Sequence, residues 1–335
     1  MPRAERRMVP DVTPMSYYGQ PVLKAPTWKW PIAGYLFTGG LAAGTSLVGA
    51  SARIRGDRRL ASAASAATLC ALGASSAFLI EDLGRPSRFH HMLRVVKVTS
   101  PMSVGTWIFS LFSALAGASA AAEVGERAGV PERVARPAAA VAQVGSALVA
   151  PALATYTAVL VSDTAVPAWH DARRQLPWLF AGSATASGGA MGVVLSAALA
   201  PCGGGAFAAG PRRMAVAGAL VEVGADEAMH RRLRSINTGD VAKPSVDSAY
   251  ATGQPRRLAR AARACTVGGA AAVALAGRRD RPRTRLIAGA GALSVLSGAA
   301  LQRFAIFHAG RASAADPVYT VGPQRLRLVP PAGQP

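Results

Sequence analysis

Five long windows of the sequence contain no Asp, Glu, Lys or Arg, and this feature restricts the possible folds most strongly. The windows are 30–52, 60–80, 98–122, 137–162 and 175–211. A helix needs roughly 20 apolar residues to cross a hydrocarbon core about 30 Å thick, and each window is long enough. We therefore interpret the windows as transmembrane helices. An Ala-rich soluble bundle is the alternative, but its helices would carry a charged face.

The windows are rich in Ala, Gly and Ser, which favours a tightly packed bundle. Small residues let helix backbones approach closely, so that dispersion contacts hold the helices together. Gly40 and Gly44 form one such pair, four residues apart in the first window. The sequence predicts an all-α integral membrane protein, a polytopic bundle with two four-helix-bundle-like halves as one arrangement.

The hydrophobic signal weakens after residue 211. The stretches 214–225, 264–277 and 286–302 are shorter, and Glu222 interrupts the first. Arginines at their ends can lift their charges toward the lipid headgroups. These are Arg212, Arg213, Arg260, Arg263 and Arg303. We expect eight helices, with seven or nine as alternatives.

The segments outside these helices suggest three regions. They are an N-terminal extramembrane tail over 1–29, a helical bundle over 30–308 and a C-terminal extramembrane tail over 309–335. Four prolines interrupt any apolar core in the first region, so we expect no secretory signal there. We expect a basic interfacial connection over 248–264 and an extended tail over 316–335.

Charge is distributed unevenly along the chain. There are 37 Lys and Arg against 17 Asp and Glu, a formal net charge of +20. Such a balance is typical of proteins that bind nucleic acid or an anionic membrane surface. The basic residues lie between predicted spans, so we assign them to membrane edges and docking surfaces and expect no nucleic-acid partner. The Arg-dense loops 52–59, 126–137 and 277–285 favour the cytoplasmic side, which places the residues around 80–107 on the other side.

The stretch IEDLGRPSRFHHMLRVVKVTSPMSVGTW, residues 80–107, is charged although it joins two apolar windows. Glu81 and Asp82 directly follow 21 uncharged residues, so they lie at the membrane boundary, where burying a carboxylate is costly unless it is paired. Arg85 and Arg88 are the nearest partners in sequence. The sequence leaves two roles possible for Glu81 and Asp82: a structural ion pair with an arginine, or a carboxylate that handles protons.

The fourth window ends in a second polar group. Tyr156 lies seven residues before Asp163, nearly two helical turns, so both lie on roughly one face. A phenol inside a membrane needs a hydrogen-bond partner, which a neighbouring backbone carbonyl could supply. Asp163 and His170 face the same side as 80–107, because the chain crosses the membrane twice between them.

The histidines and cysteines argue against a redox centre in this chain. A haem in a membrane bundle is normally held by axial histidines reaching inward from helices. His90, His91 and His170 lie in predicted loops, His230 follows an acidic run, and His308 is near the end of the last span. The three cysteines form no C-x-x-C pair. We expect no haem, no iron–sulfur cluster, no metal site and no catalytic residue in the chain.

Four motifs together resemble the NrfD/PsrC family, the membrane subunits of polysulfide-reductase-type complexes. They are WPIAGYLFTGGLAAG at 30–44, DLGRPSRFHHMLRVVKVTSPMSVGTW at 82–107, YTAVLVSDTAVPAWH at 156–170 and FHAGRASAADPVYTVGPQR at 307–325. The D-L-G-R-P and S-P-M-S elements carry the specificity. The resemblance implies an eight- or nine-helix, haem-free subunit that is multi-pass in the lipid bilayer of a bacterial cytoplasmic (inner) membrane.

The resemblance also implies a function and partners. The partners would be a four-cluster ferredoxin-type iron–sulfur subunit and a catalytic subunit, often a molybdopterin enzyme. This chain would not be catalytic alone. It would bind a quinone such as menaquinone and exchange electrons with the iron–sulfur subunit.

The resemblance suggests roles for individual residues. Tyr156 matches a quinone-binding tyrosine of helix four, Tyr35 stands where some relatives have a histidine, and Asp163 stands where some have Asn. We expect these three residues to bind the quinone. Those expected to relay protons or to pair are Glu81, Asp82, Arg85 and Arg88. Those expected to dock the partner are His90, His91, Arg94, Lys97 and His170.

Two other functions are compatible with the sequence. The chain could be an inert membrane anchor whose basic loops hold a partner without any quinone. It could also be a stand-alone proton channel or transporter, which the membrane-edge acids suggest. The three functions differ in how far they depend on partners.

Overall fold

The computed structural model describes residues 20–83, 85–199, 209–276 and 282–328, and this part of the chain is almost entirely helical. Its α-helices are α1 Trp30–Ile54, α2 Arg58–Asp82, α3 Pro101–Arg127, α4 Glu132–Ser162, α5 Pro167–His170, α6 Leu176–Leu199, α7 Ala209–Arg234, α8 Gly253–Leu275, α9 Pro282–Ala315 and α10 Val318–Leu328. Two 3-10 segments, Pro86–Leu93 and Val246–Tyr250, lie in the connections. No β-strand occurs among the described residues.

Within the described ranges, seven helices are long and apolar enough to cross a membrane. They are α1, α2, α3, α4, α6, α8 and α9. The exception among the long helices is α7, which carries several charged residues, yet it lies antiparallel against α6 over most of its length. Gly182 of α6 faces Glu222, and Gly189 faces Ala215. The predicted fold class, an all-α polytopic membrane protein, is confirmed.

The connections at the two ends of the bundle differ in length. α1 and α2 are joined by a turn at Gly56 (φ 78°), and α3 and α4 by a turn at Gly129 (φ 101°); both angles favour glycine. We call this end the turn face. The opposite end, the loop face, carries the segments 83–100, 163–175 and 235–252.

A close crossing of α1 and α6 joins the first four long helices to the last four. A Cβ on Gly44 would lie 2.0 Å from the carbonyl oxygen of Ala184, and a Cβ on Gly188 would lie 2.1 Å from the carbonyl carbon of Gly44. Only glycine permits this backbone approach. The small-residue contact predicted at Gly40 and Gly44 is therefore confirmed.

Polar side chains tie α1 to α4 near the turn face. Arg53 of α1 donates hydrogen bonds to Gln143 of α4 and to Glu123 of α3. Gln143 Nε2 also donates to Ser65 Oγ of α2 at 3.0 Å. Because each buried polar group finds a partner on another helix, the cluster fixes how these four helices pack.

The structure places Arg303 of α9 inside the bundle, although the sequence predicted that its charge reaches toward the headgroups. Its side chain is buried, with the guanidinium carbon 3.6 Å from the centre of the Phe180 ring and Nη2 donating to the Phe180 carbonyl at 3.3 Å. Close packing against α6 therefore holds this cation inside the bundle, with cation–π attraction to the ring.

Several predicted boundaries are wrong. The window 175–211 contains all of α6 and also the start of α7, and residues 253–264 belong to α8 and not to an interfacial connection. The predicted extended tail is helical over Val318–Leu328, and the boundary at 308 falls inside α9. Hydrophobicity missed these helices because their ends carry many arginines. Residues 1–19 of the predicted N-terminal tail, 277–281 of the basic loop and 329–335 lie outside the described residues.

Candidate functional site

A largely apolar cavity of about 230 Å³ lies at the loop-face end of α1 to α4. Tyr35 of α1, Tyr156 of α4 and Asp82 of α2 line it together with apolar residues of α3 and of the 3-10 segment Pro86–Leu93. We call it the tyrosine pocket. An apolar cavity with a few convergent polar groups is the usual form of a small-molecule site.

The two tyrosines contribute hydroxyl groups that the protein leaves unpaired. Both side chains are buried, and among the described residues neither hydroxyl makes a hydrogen bond. The backbone-carbonyl partner considered for Tyr156 is thus not found there. Because both residues line the cavity, their hydroxyls are available to a ligand in the pocket.

Gly105 of α3 makes room for Tyr156, a relation that the sequence did not reveal. A Cβ at position 105 would lie 2.2 Å from Cε2 of the Tyr156 ring. Real Cβ atoms do not approach so closely, so any side chain here would displace the ring. Phe109, one turn further along α3, has its ring centre 6.2 Å from that of Tyr35. One face of α3 therefore positions both tyrosines.

The acids at the end of α2 behave differently from each other. Asp82 lines the pocket and accepts a hydrogen bond from the Lys29 backbone N–H at 2.9 Å, whereas Glu81 is exposed. An ion pair with Arg85 or Arg88, one of the two alternatives that the sequence left open, does not form within the described residues. Both arginines point their charge to the exposed surface, because the segment that follows α2 turns its apolar side toward the pocket.

That apolar side is the part of the 80–107 stretch that reaches the cavity. Phe89, Met92 and Leu93 line the pocket. The residues predicted to dock a partner, His90, His91, Arg94 and Lys97, are all exposed on the loop face. The 3-10 segment is thus amphipathic, with an apolar roof beneath a basic surface.

Asp163 and His170 do not line the tyrosine pocket. Asp163 follows the last residue of α4 and is exposed. His170 lies in α5 and not in a loop, and its Nδ1 is 3.2 Å from the Ser162 carbonyl oxygen. Both residues share the loop face with the 80–107 stretch, but the structure does not bring them to the two tyrosines.

Trp169, which the sequence analysis missed, connects the tyrosine pocket to α9. It is fully buried, and its Nε1 donates to the Ile306 carbonyl at 2.8 Å. A Cβ on Gly310 would lie 1.9 Å from this indole. Its ring centre lies 5.7 Å from that of Trp28, which lines the pocket. In the sequence, the residue that could have indicated this contact is the tryptophan of the PAWH segment Pro167–His170.

A second cavity, of about 380 Å³, lies on the loop face between α7, the segment Val246–Tyr250 and α8. We call it the arginine pocket. Its charged and polar lining residues are Asp226, His230, Arg234, Asp247, Tyr250, Arg256, Arg260 and Arg263. None of these residues was predicted as part of a site, since they come from three elements that are separate in sequence.

His230 is the centre of the ion pairs in the arginine pocket. Its Nδ1 is 2.5 Å from Asp247 Oδ1, and its Nε2 is 3.6 Å from Asp226 Oδ1. Burial opposes protonation, but the hydrogen bond to Asp247 and the two negative charges outweigh it, so the pKa of His230 lies above its usual value. Burial likewise opposes ionisation of Asp247, yet the partners His230 and Arg234 hold the pKa of its carboxyl below the usual value.

The fold and the tyrosine pocket together define a class of protein, a polytopic helical membrane protein with a largely apolar cavity at the loop face. Residues 21–202 match the family described as polysulphide reductase, NrfD. This is more than half of the chain, so the chain belongs to the NrfD family. The family consists of membrane subunits of quinone-linked oxidoreductases, which assemble with catalytic and iron–sulfur subunits. A comparison with curated proteins gives no match.

The matched region covers the tyrosine pocket completely but stops before the arginine pocket. Every element that lines the first cavity ends by residue 162, and every residue that lines the second lies after residue 225. Family membership therefore bears on the first cavity. The second must be judged by its own geometry.

Proposed function

We propose that the chain is the membrane-anchor, quinone/quinol-interacting subunit of a multi-subunit oxidoreductase and exchanges electrons with a ferredoxin-type iron–sulfur subunit. The observation that carries the proposal is the tyrosine pocket, an apolar cavity lined by two largely buried tyrosines whose hydroxyls make no hydrogen bond to the described residues. In a member of a quinone-linked family, a quinone headgroup is the ligand that needs such donors.

The size of the cavity matches a headgroup better than a whole quinone. Pockets for drug-sized ligands are roughly 300–1,000 Å³, and this cavity of about 230 Å³ is smaller. A single ring system would fill it, and an isoprenoid tail would extend outward between the helices. Met102 and Leu93, both partly exposed, offer such a tail an apolar edge.

Reduction of a quinone takes up two electrons and two protons, and oxidation of the quinol releases them. The Tyr156 and Tyr35 hydroxyls would donate hydrogen bonds to the carbonyl oxygens and favour the negative charge that develops there. Asp82, at the boundary between the pocket and the loop face, would carry protons to or from water. The electrons would pass to or from a cluster in the iron–sulfur subunit.

The basic surface above the pocket suits the docking of that subunit. His90, His91, Arg94 and Lys97 lie exposed over the apolar roof, so an acidic partner bound to them would lie close to the ring. His170 belongs to the same face. Asp163 lies on this face too but does not line the cavity, so we propose no contact between it and the quinone.

The proposal is tested with Tyr156→Phe in the purified complex. We expect quinone-linked turnover to fall about 100-fold, as for the loss of one donor to a developing oxyanion, while the partners still co-purify. The matched control is Tyr319→Phe on α10, which removes the hydroxyl of a tyrosine that does not line the pocket and should leave turnover unchanged. Unchanged turnover in Tyr156→Phe would refute the site.

Two further measurements separate the proposal from its alternatives. Solvent extraction of the purified complex should yield bound quinone; an inert anchor would yield none and would not respond to quinone analogues. A chain that is stable and conducts protons without partners would support a stand-alone channel and contradict the proposal. The bacterial cytoplasmic membrane is the compartment that fits a quinone-linked complex of this kind.

A further inference from the structure

The arginine pocket carries more positive than negative charge. Four arginines and His230 line it against two carboxylates. Asp226 pairs with Arg263 at 3.0 Å, and Asp247 pairs with Arg234 at 3.1 Å. The described residues provide no carboxylate for the remaining two arginines, Arg256 and Arg260. Because these two are four residues apart on α8, they lie on the same side of the helix.

A buried hydroxyl in the same cavity also has no partner. Tyr250 is only 5% exposed and lines the pocket, and its hydroxyl makes no hydrogen bond among the described residues. Its ring is fixed edge-on to His230, with the ring centres 5.0 Å apart. A fixed donor in the same cavity as two guanidinium groups that have no carboxylate partner among the described residues is suited to an oxygen-rich anion.

The position of the pocket indicates where such an anion would come from. α8 begins at the loop face, and side chains on a helix tilt toward its N-terminus, so Arg256 and Arg260 reach toward the headgroup level. α8 packs against α7, α9 and Val246–Tyr250. Its surface exposes Val267, about two and a half turns below Arg256 and Arg260, on which an acyl chain can lie.

We propose that the arginine pocket binds a phosphate group, presented by an anionic phospholipid at the edge of the bundle. Arg256 and Arg260 donate to the phosphate oxygens, as guanidinium groups do in other phosphate sites, and Tyr250 adds a third donor. Arg234 and Arg263 remain paired with their carboxylates and frame the site. This inference does not depend on the proposed quinone chemistry.

The test uses the full-length chain in its complex, purified in detergent and stripped of lipid, with the midpoint of thermal unfolding as the readout. Phosphatidylglycerol, phosphatidylcholine and inorganic phosphate are titrated separately. We expect phosphatidylglycerol to raise the midpoint and phosphatidylcholine to have far less effect. Inorganic phosphate alone reproducing the rise would support the phosphate site and identify free phosphate as the source.

The variant is the double substitution Arg256→Gln and Arg260→Gln, with Arg257→Gln as the control. Arg257 is exposed on the same helix but does not line the pocket. We expect the double variant to need roughly tenfold more phosphatidylglycerol for half of the effect, and the control to match the wild type. Tyr250→Phe should weaken the response less and provides a second variant if the double variant does not fold.

Three results would overturn the proposal. One is an equal response to phosphatidylcholine and phosphatidylglycerol, which would indicate general solvation by lipid. Another is an unchanged response in a folded double variant. The third is a double variant that loses its partner subunits but keeps its lipid response, which would assign the pocket to an acidic segment of a partner.

Discussion

The tyrosine pocket and the arginine pocket lie on the same face of one bundle but use opposite kinds of lining. The first is largely apolar, with two hydroxyls that make no hydrogen bond to the described residues, and it is lined by the first four long helices and the 3-10 segment Pro86–Leu93. The second is built from ion pairs around His230 and is bounded by α7, α8 and the segment between them. In the tyrosine pocket, the absence of a side chain at Gly105 fixes where the Tyr156 ring lies. In the arginine pocket, ion pairs fix where the side chains lie.

This difference in lining predicts how each pocket tolerates amino-acid substitutions. A close-packed site fails when volume is added, because its neighbours cannot move far. A site held by ion pairs near the membrane surface fails gradually, because each pair contributes little and water can replace part of it. The two pockets should therefore respond to different perturbations, and each of the following experiments acts on one of them.

The largest effect is expected for Gly105→Ala. The added Cβ displaces the Tyr156 ring, so quinone-linked turnover of the complex should fall between about 10-fold and 100-fold, the usual effect of misplacing a reacting group. Gly117→Ala on the same helix is the control, since a Cβ there meets no atom within 4 Å. Equal turnover in the two variants would show that the position of Tyr156 is unimportant. The phosphatidylglycerol response should be the same in both.

An intermediate effect is expected for His230→Gln, which should lower the thermal stability of the chain by an amount that depends on pH. Because the pKa of His230 is raised in the folded chain, its protonated form stabilises the fold fully below about pH 6.5, and this contribution is lost as the pH rises through the raised value. The groups that face it are Asp226, Arg234, Asp247, Tyr250, Arg256, Arg260 and Arg263.

The measurement is the thermal midpoint of the wild type and of His230→Gln between pH 6 and pH 9. We expect the wild type to be more stable at pH 6, by the equivalent of about 1.5–3 kcal/mol for a hydrogen bond to a charged group, and the difference to shrink with rising pH. A difference that stays constant or grows would contradict the assignment. Quinone-linked turnover should not follow the same pH profile.

The smallest effect is expected for Lys243→Met, which removes a pair outside both pockets. Lys243 donates a hydrogen bond to Asp316, and this bond raises the pKa of its ammonium group. An exposed pair of this kind contributes at most about 1 kcal/mol, and salt screens it. The thermal midpoint should therefore fall slightly at low salt and match the wild type at high salt. A large loss would mean that the loop face depends on this link.

Much of the fold followed from charge-free windows, because a bilayer imposes length and apolarity on any helix that crosses it. The charge-free windows did not reveal the full extent of helices with arginine-rich ends, such as the start of α8. The resemblance drew attention to Tyr156 and Tyr35, and both line one cavity. Asp163 was assigned to the quinone from motif position alone, and the structure places it outside.

The features that the sequence could not show are contacts between distant segments. The fit of Gly105 to Tyr156 joins two helices about 50 residues apart, and nothing in the local pattern marks that glycine. The arginine pocket depends on His230 meeting Asp247, which requires the path of the chain between α7 and α8. The sequence drew attention to the charges of the 80–107 stretch, yet its residues Phe89, Met92 and Leu93 are apolar and reach the cavity.

All the residues that line the tyrosine pocket precede Thr164 in the chain. During synthesis, the wall of this pocket is therefore complete once the fourth long helix has left the ribosome and entered the membrane. The last four long helices add the α1–α6 crossing and the arginine pocket only afterwards. A nascent chain halted after α4 would already contain every residue that lines this pocket, so the order of translation separates the making of the two pockets in time.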